Sequence, residues 1–222
     1  MSEKSGKLIV LGVTGGIAAY KAADLCSKLA KLHEVQVIMT ENACKFVTPL
    51  TFQTLSRRPV ITSLWETAEW RPRHVELADE ADLFVCAPAT ANFLAKYAHG
   101  IADDALTTFA ATYHGISVVA PAMNPKMWSQ SACMENVNTL KLRGVQFAGP
   151  ASGHVACGAD GTGRMLEAAE IFDLVEKLLV GGCGGREKLF FTGKKVFPFP
   201  HTPILFQKKR GIAAPMSRQE SF

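Results

Sequence analysis

Asn124 is the single amide in the run Pro121-Ala122-Met123-Asn124-Pro125-Lys126-Met127-Trp128. Pro121 lacks a donor for a sheet ladder and Pro125 pushes Asn124 away from the helical region, so the chain leaves any preceding strand as a stiff, shaped loop. An amide among Met123, Met127 and Trp128 suits a mostly apolar pocket with one orienting group. The same residues also suit a proline-rich turn whose Met and Trp only pack. His74 opens a short helical stretch, where an imidazole can act as acid or base near neutral pH, although a surface or capping role is commoner there. Cys157, between Ala156 and Gly158, is the cysteine best placed to be a reactive thiol.

Two small turns are suited to an anion. Thr14-Gly15-Gly16-Ile17 opens a helical stretch, and the glycines allow a ligand to approach the free N–H groups of a helix start. The spacing is not G-x-G-x-x-G, so a dinucleotide pyrophosphate is not specifically indicated and a monophosphate fits as well. A tight turn with no ligand fits the motif equally. Thr90-Ala91-Asn92 has the same character, and Thr40 offers a hydroxyl to a cofactor or, more commonly, to the helix that follows.

The elements that must hold these groups alternate. Apolar, β-rich runs at 7–13, 35–39, 83–87 and 116–120, with shorter ones at 60–61 and 145–147, predict strands. The run at 116–120, closed by Gly115 and Pro121, has the pattern of a strand buried on both faces. Helical spacing at 17–31, 46–55, 74–81, 93–98, 103–113, 130–142 and 167–179 predicts helices. This alternation predicts an α/β fold, a three-layer, doubly wound parallel sheet of the Rossmann or flavodoxin-like kind, whose ligands bind at the strands' carboxyl ends. Residues 63–73 show no period and are expected to be a loop. So is 149–165, where five glycines in seventeen residues fit a functional flap or a disordered connection.

Composition narrows the rest. At 222 residues and 48% hydrophobic, the chain is long enough for one well-buried domain. Residues 1–180 hold 16 Lys/Arg and 18 Asp/Glu, a net of −2, while 181–222 hold 8 and 2, a net of +6. The basic balance therefore belongs to the tail and gives the body no electrostatic case for nucleic acid. The six cysteines, at 26, 44, 86, 133, 157 and 183, form no C-x-x-C pair, so neither a metal site nor a disulfide framework is expected. The opening residues are polar and the run 8–13 is too short for a signal peptide or a membrane span, which points to the reducing cytoplasm and to no membrane partner.

In their order these pieces resemble the flavin-containing cysteine decarboxylases, and within them the branch serving coenzyme A synthesis. The resemblance covers about 7–179. It rests on Gly12-Val-Thr-Gly-Gly-Ile-Ala-Ala-Tyr-Lys21, His74-Val-Glu-Leu77, Ala87-Pro-Ala-Thr-Ala-Asn92, Pro121 to Trp128, Ala156-Cys157-Gly158 and Gly161-Thr-Gly-Arg-Met165. It implies flavin mononucleotide (FMN), with the phosphate near Gly15, Gly16, Ile17, Thr90, Ala91 and Asn92, and with Thr40 and Ala122 beside the rest. It also implies 4'-phosphopantothenoylcysteine as the small-molecule substrate. The flavin would oxidise the cysteinyl thiol to a thioaldehyde, whose C=S accepts the electrons of the departing carboxylate; the ene-thiol is then reduced and protonated. His74 would be the acid/base, Asn124 would hold the carboxylate by its amide donor, and Cys157 would be the final proton donor. Ala156, Met127 and Met165 would line the substrate. The family assembles as trimers, in bacteria as tetrahedral sets of four, so a homotrimer or homododecamer is implied.

The resemblance divides the chain into a flavoprotein decarboxylase domain, 1–180, and a basic tail, 181–222. Thr192-Gly193-Lys194-Lys195-Val196 resembles the opening of the ligase domain that follows this decarboxylase in many bacteria, and the match then stops. The tail is expected to be a truncated or frame-shifted remnant, disordered, with membrane or nucleic-acid binding as the sharper alternative. Two other activities fit parts of the pattern. A flavin prenyltransferase would explain the two anion turns but not Cys157 or the Pro121 to Trp128 run, and a flavin-binding phosphatase-inhibitory subunit would need none of His74, Asn124 and Cys157.

Overall fold

The computed structural model describes residues 6–65, 73–154, 158 and 160–181. Five parallel strands, β1 (Leu8–Val13), β2 (Glu34–Met39), β3 (Leu83–Ala89), β4 (Ile116–Pro121) and β5 (Gln146–Phe147), form one sheet in the order β2-β1-β3-β4-β5. Their registers run Leu8 on Glu34, Ile9 on Leu83, Leu83 on Ile116 and Val118 on Gln146. This is the doubly wound arrangement expected from the alternation of elements.

The strands are apolar throughout because both faces of the sheet are covered. Ile9, Leu11, Val13, Val35, Val37, Leu83 and Val85 face one core with α1 (Ala19–Leu29), α3 (Pro49–Ser56) and α9 (Ala168–Gly181). Val10, Ile38, Phe84 and Cys86 face the other, with α4 (Arg73–Glu80), α5 (Ala91–His99), α6 (Ala105–Thr112) and α8 (Ser131–Leu142). At the centre of this second core the Phe84 ring meets Phe93, Tyr97, Phe109 and Tyr113 edge-on, with centroids 5.3–6.5 Å apart. That geometry suits the ring quadrupole.

Several expectations change in detail. The helix expected from Ile17 begins at Ala19 and ends at Leu29, leaving Leu32 half exposed. The helix expected from Phe46 begins only at Pro49, whose ring fits the first turn of α3. Between β2 and it lies one helical turn, α2 (Glu41–Cys44). Ile61 forms an isolated bridge to Ile38 rather than a strand. After β4 the stiff loop ends in a second single turn, α7 (Pro125–Trp128).

The largest departure is in the glycine-rich segment. Ala151–His154 (β6) and Asp160–Arg164 (β7) pair as an antiparallel ribbon where only irregular chain was expected. Side-chain period fails to announce it because glycine supplies none. Gly153 and Gly161 take positive φ, and Ser152 and Thr162 hydroxyls meet across the ribbon at 2.8 Å.

The ribbon is seated on the Asn124 loop. Met123 N–H donates to Gly163 O at 2.9 Å, and a Cβ on Gly163 would lie 2.3 Å from Met123 O. No flexible side chain can yield there, because the atom struck is backbone. Gly163→Ala is therefore expected to lift β7 from the loop at a cost of about 1–3 kcal/mol. Urea denaturation would show it as a lowered midpoint with unchanged slope.

Candidate active site

The helices after β1 and β3 leave to opposite faces of the sheet, α1 into one core and α5 into the other. The crevice between the two strand ends is the topological switch point, where such sheets bind ligands. Thr14, 2% exposed, bridges it. Its hydroxyl donates to Pro88 O at 2.7 Å and accepts from Thr90 N–H at 3.1 Å. The two anion-type turns are thereby drawn together, and a Cβ on Gly16 would stand 3.6 Å from Thr90 Cγ2. Gly15 is required for a different reason: a Cβ there would come within 2.4 Å of Asn42 Cβ.

Above this crevice lies a cleft of about 1200 Å³. That exceeds the volume one ligand usually fills, and leaves room for a cofactor and a substrate together. Gly15, Gly16, Ile17, Thr40, Thr90, Ala91, Asn92 and Ala122 all line it, as do Asn124, Met127 and Met165. His74 lies in the first turn of α4, with its side chain outside the described residues. Ala156 and Cys157 fall between β6 and β7, also outside them.

Three of the polar side chains serve the backbone as well. Thr40 Oγ1 accepts from Ala43 N–H at 3.3 Å, and Thr90 Oγ1 from Phe93 N–H at 3.4 Å. Asn124 Oδ1 accepts from Lys126 N–H at 2.8 Å, which fixes the orientation of the amide. By contrast α1 starts from Ala18 with no side-chain cap; Ala19 N–H and Lys21 N–H turn back to Gly16 O and Ala18 O, and the turn before the helix lines a site suited to an anion.

Glu41 of α2 lines the cleft, and ion pairs stand on its wall at two other places. Lys96 Nζ lies 2.8 Å from Asp103 and 3.9 Å from Asp104, and the hydrogen bond from Lys96 holds the Asp103 carboxyl below its usual range. Lys21 and Arg164 both reach Glu167. None of these, nor Thr14, was singled out from the sequence as a site residue. Thr14 carried a local signal, a hydroxyl directly before the glycines, and Lys21 and Arg164 stood within the motifs of the resemblance. Burial pushes the thiols of Cys26, to about 12, and of Cys86 and Cys133 upward, so none of the three is a nucleophile near neutral pH. Among the described residues no group of three or more His, Cys, Asp or Glu could hold a metal, and no helix is long and apolar enough to cross a membrane.

A sheet of order 2-1-3-4-5 with a large cleft over its switch point defines a flavodoxin-like doubly wound domain. The chain belongs to the flavoprotein family, whose model matches residues 1–180. It is 48% identical over 179 residues to the coenzyme A biosynthesis bifunctional protein CoaBC of Vibrio vulnificus, covering 80% of this chain and 45% of that protein. The chain thus spans about half the length of the curated relatives it matches. A structure of a PPC decarboxylase mutant complexed with pantothenoylaminoethenethiol superposes with a TM-score of 0.70 at 28% identity, covering 78% of this chain and 98% of that one. The FMN-dependent cysteine decarboxylase SpaF does so with a TM-score of 0.70 at 28% identity, covering 82% and 99%.

Thr14→Val keeps the shape of the side chain but strands Pro88 O and Thr90 N–H. The variant is expected to lose about 1–3 kcal/mol, seen as a lower thermal midpoint, and to hold its ligand more weakly in equilibrium dialysis.

Proposed function

We propose that this chain binds FMN in the cleft and decarboxylates 4'-phosphopantothenoylcysteine to 4'-phosphopantetheine, the decarboxylase step of coenzyme A formation. One observation carries the reading: a single cleft over the β1/β3 switch point gathers both anion-type turns and Asn124. Its size and residues fit the cofactor. The uncapped start of α1 and the Thr90-Ala91-Asn92 turn would hold the phosphate, while Ile17, Thr40 and Ala122 would lie along the remainder. When bound, FMN supplies a two-electron acceptor, without which a simple carboxylate of this kind does not leave.

The side chains then have separate duties. Asn124 commits its oxygen to Lys126 N–H, and its amide nitrogen would be the group that donates to a substrate carboxylate. A neutral donor orients the carboxylate without the positive charge that would stabilise it against loss. His74, at the start of α4, would exchange the proton of the substrate thiol. Cys157, on the connection between β6 and β7, would protonate the ene-thiol left after carbon dioxide departs. Met127, Ala156 and Met165 would close around the chain of the substrate.

The assembly is part of the proposal. Ile17 and Tyr20, about 60% exposed, and Met127, 49% exposed, leave the rim of the cleft apolar and open. A second copy in a homotrimer, or in a homododecamer built from four, would cover such a rim. No ligase activity is proposed, since 182–222 lie outside the described residues. The proposed place of action is the cytoplasm.

The purified chain is expected to be yellow, with a flavin absorption spectrum, and to release carbon dioxide from 4'-phosphopantothenoylcysteine. A colourless protein that FMN cannot reconstitute would overturn the reading. Asn124→Asp preserves an acceptor for Lys126 N–H but opposes a charge to the substrate. It should retain flavin while carbon dioxide release falls about a hundredfold or more. Cys157→Ser is expected to release carbon dioxide yet yield the ene-thiol, two hydrogens lighter than the normal product by mass spectrometry.

A further inference from the structure

On the cleft wall where α1 faces the end of β7, two cations share one carboxylate oxygen. Lys21 Nζ lies 2.7 Å and Arg164 Nη2 2.9 Å from Glu167 Oε1. Two positive groups against one negative leave a net charge of +1. An ammonium has three N–H donors and a guanidinium five, and the shared oxygen uses one from each. The Lys21 side chain is only 13% exposed, so its charge is partly withdrawn from water. The Glu167 carboxyl is held below its usual range, first by the hydrogen bond from Lys21, and the group stays ionised across the neutral range.

The other cation on the described wall has the opposite balance. Lys96 faces both Asp103 and Asp104, one positive group against two negative, a net of −1. A dianion entering the cleft is drawn to the first cluster and repelled by the second. Asn124 follows β4 and Lys21 lies on α1, which follows β1, with β3 standing between those strands, so Lys21 and the amide reach one cleft from different strand ends.

We propose that Lys21 and Arg164, set in place and half neutralised by Glu167, bind the phosphate monoester of the pantothenoyl ligand. The proposal rests on the decarboxylase reading above, in which the cysteinyl carboxylate lies at Asn124. The other phosphate monoester in that reading belongs to FMN, which has its own seat at the start of α1 and at Thr90 to Asn92. Charged donors contact a dianion strongly, and a bidentate guanidinium adds geometric selection.

The test compares binding of 4'-phosphopantothenate and pantothenate to the full chain by calorimetry. Neither ligand carries the cysteinyl group, so no turnover intervenes. The wild type should prefer the phosphorylated ligand, and Lys21→Met and Arg164→Gln should each lose about tenfold of that preference. Glu167→Gln, which raises the cluster's charge, should keep or increase it. Loss of preference in Glu167→Gln to the same degree as in the cation variants would make the cluster a mere latch and overturn the proposal. So would an indifferent wild type, or cation variants that keep the full preference. FMN retention on dilution separates the two phosphates: faster FMN release with an intact phosphopantothenate preference assigns the cluster to the cofactor and overturns the proposal. Carbon dioxide release by the wild type is scored separately. A chain that releases none yet shows the predicted variant pattern refutes the decarboxylase and supports the phosphate site.

Discussion

A buried hydroxyl joins the carboxyl ends of β1 and β3 at the place where the chain must open. Helices leaving adjacent parallel strands toward opposite faces cannot cover the gap between the strand ends. Left alone, that gap would expose backbone groups of both turns. Thr14, at the end of β1, donates to Pro88 O and accepts from Thr90 N–H at the end of β3, so the crevice is fixed in width while its floor stays polar. The close approach of Gly15 to Asn42 fixes the third side, since α2 cannot draw back without breaking the Thr40 cap. The rigidity of the site thus comes from backbone pairing beneath it, and its emptiness above from the topology.

The second constraint is the contact between the β6–β7 ribbon and the Asn124 loop. Gly161 and Gly163 bring the strand against Pro125 and Met123 at distances no side chain would tolerate. Asn124 therefore has its amide set twice, by the Lys126 N–H on its own turn and by a loop that β7 pins in place. This coupling gives the glycines a packing reason. The ribbon whose strands flank Cys157 in the sequence is thus seated on the same loop that presents Asn124.

How far the sequence revealed this depends on side-chain period. β1, β3 and β4 were legible because runs such as Leu83 to Ala87 are apolar on both faces, which only a covered sheet requires. The helix starts shifted by two or three residues where Gly16 and Pro49, rather than hydrophobic spacing, decide where the helix can begin. β6 and β7 were invisible because glycines carry no pattern and the pairing is chosen by backbone fit. The residues of the cleft divide in the same way. Turns with small, hydroxyl-bearing or amide-bearing residues announced Gly15, Gly16 and Thr90 to Asn92. Lys21, Arg164 and Glu167 look like any solvated charges until α9 brings Glu167 beside α1, a tertiary event with no local signature.

The distribution of charge along the cleft bears on why an amide stands at residue 124. Formal charges on the described wall lie where α5 meets α6, where α1 meets β7 and at Glu41 of α2, while Ala122, Met123, Asn124 and Met127 contribute none. Lys126 lends the site only its N–H, and its ammonium is not part of the wall. A carboxylate is a concentrated charge, and losing carbon dioxide spreads that charge into the rest of the molecule. A cation at the centre would stabilise the starting state more than the spread one and slow the loss. In the proposed reaction a neutral donor in apolar company would orient the group without that stabilisation, and the cations proposed for binding would act on the other end of the substrate. Electrostatic binding and electrostatic restraint would then be compatible in one cleft, because Ala122, Met123, Asn124 and Met127 bring no formal charge to the wall.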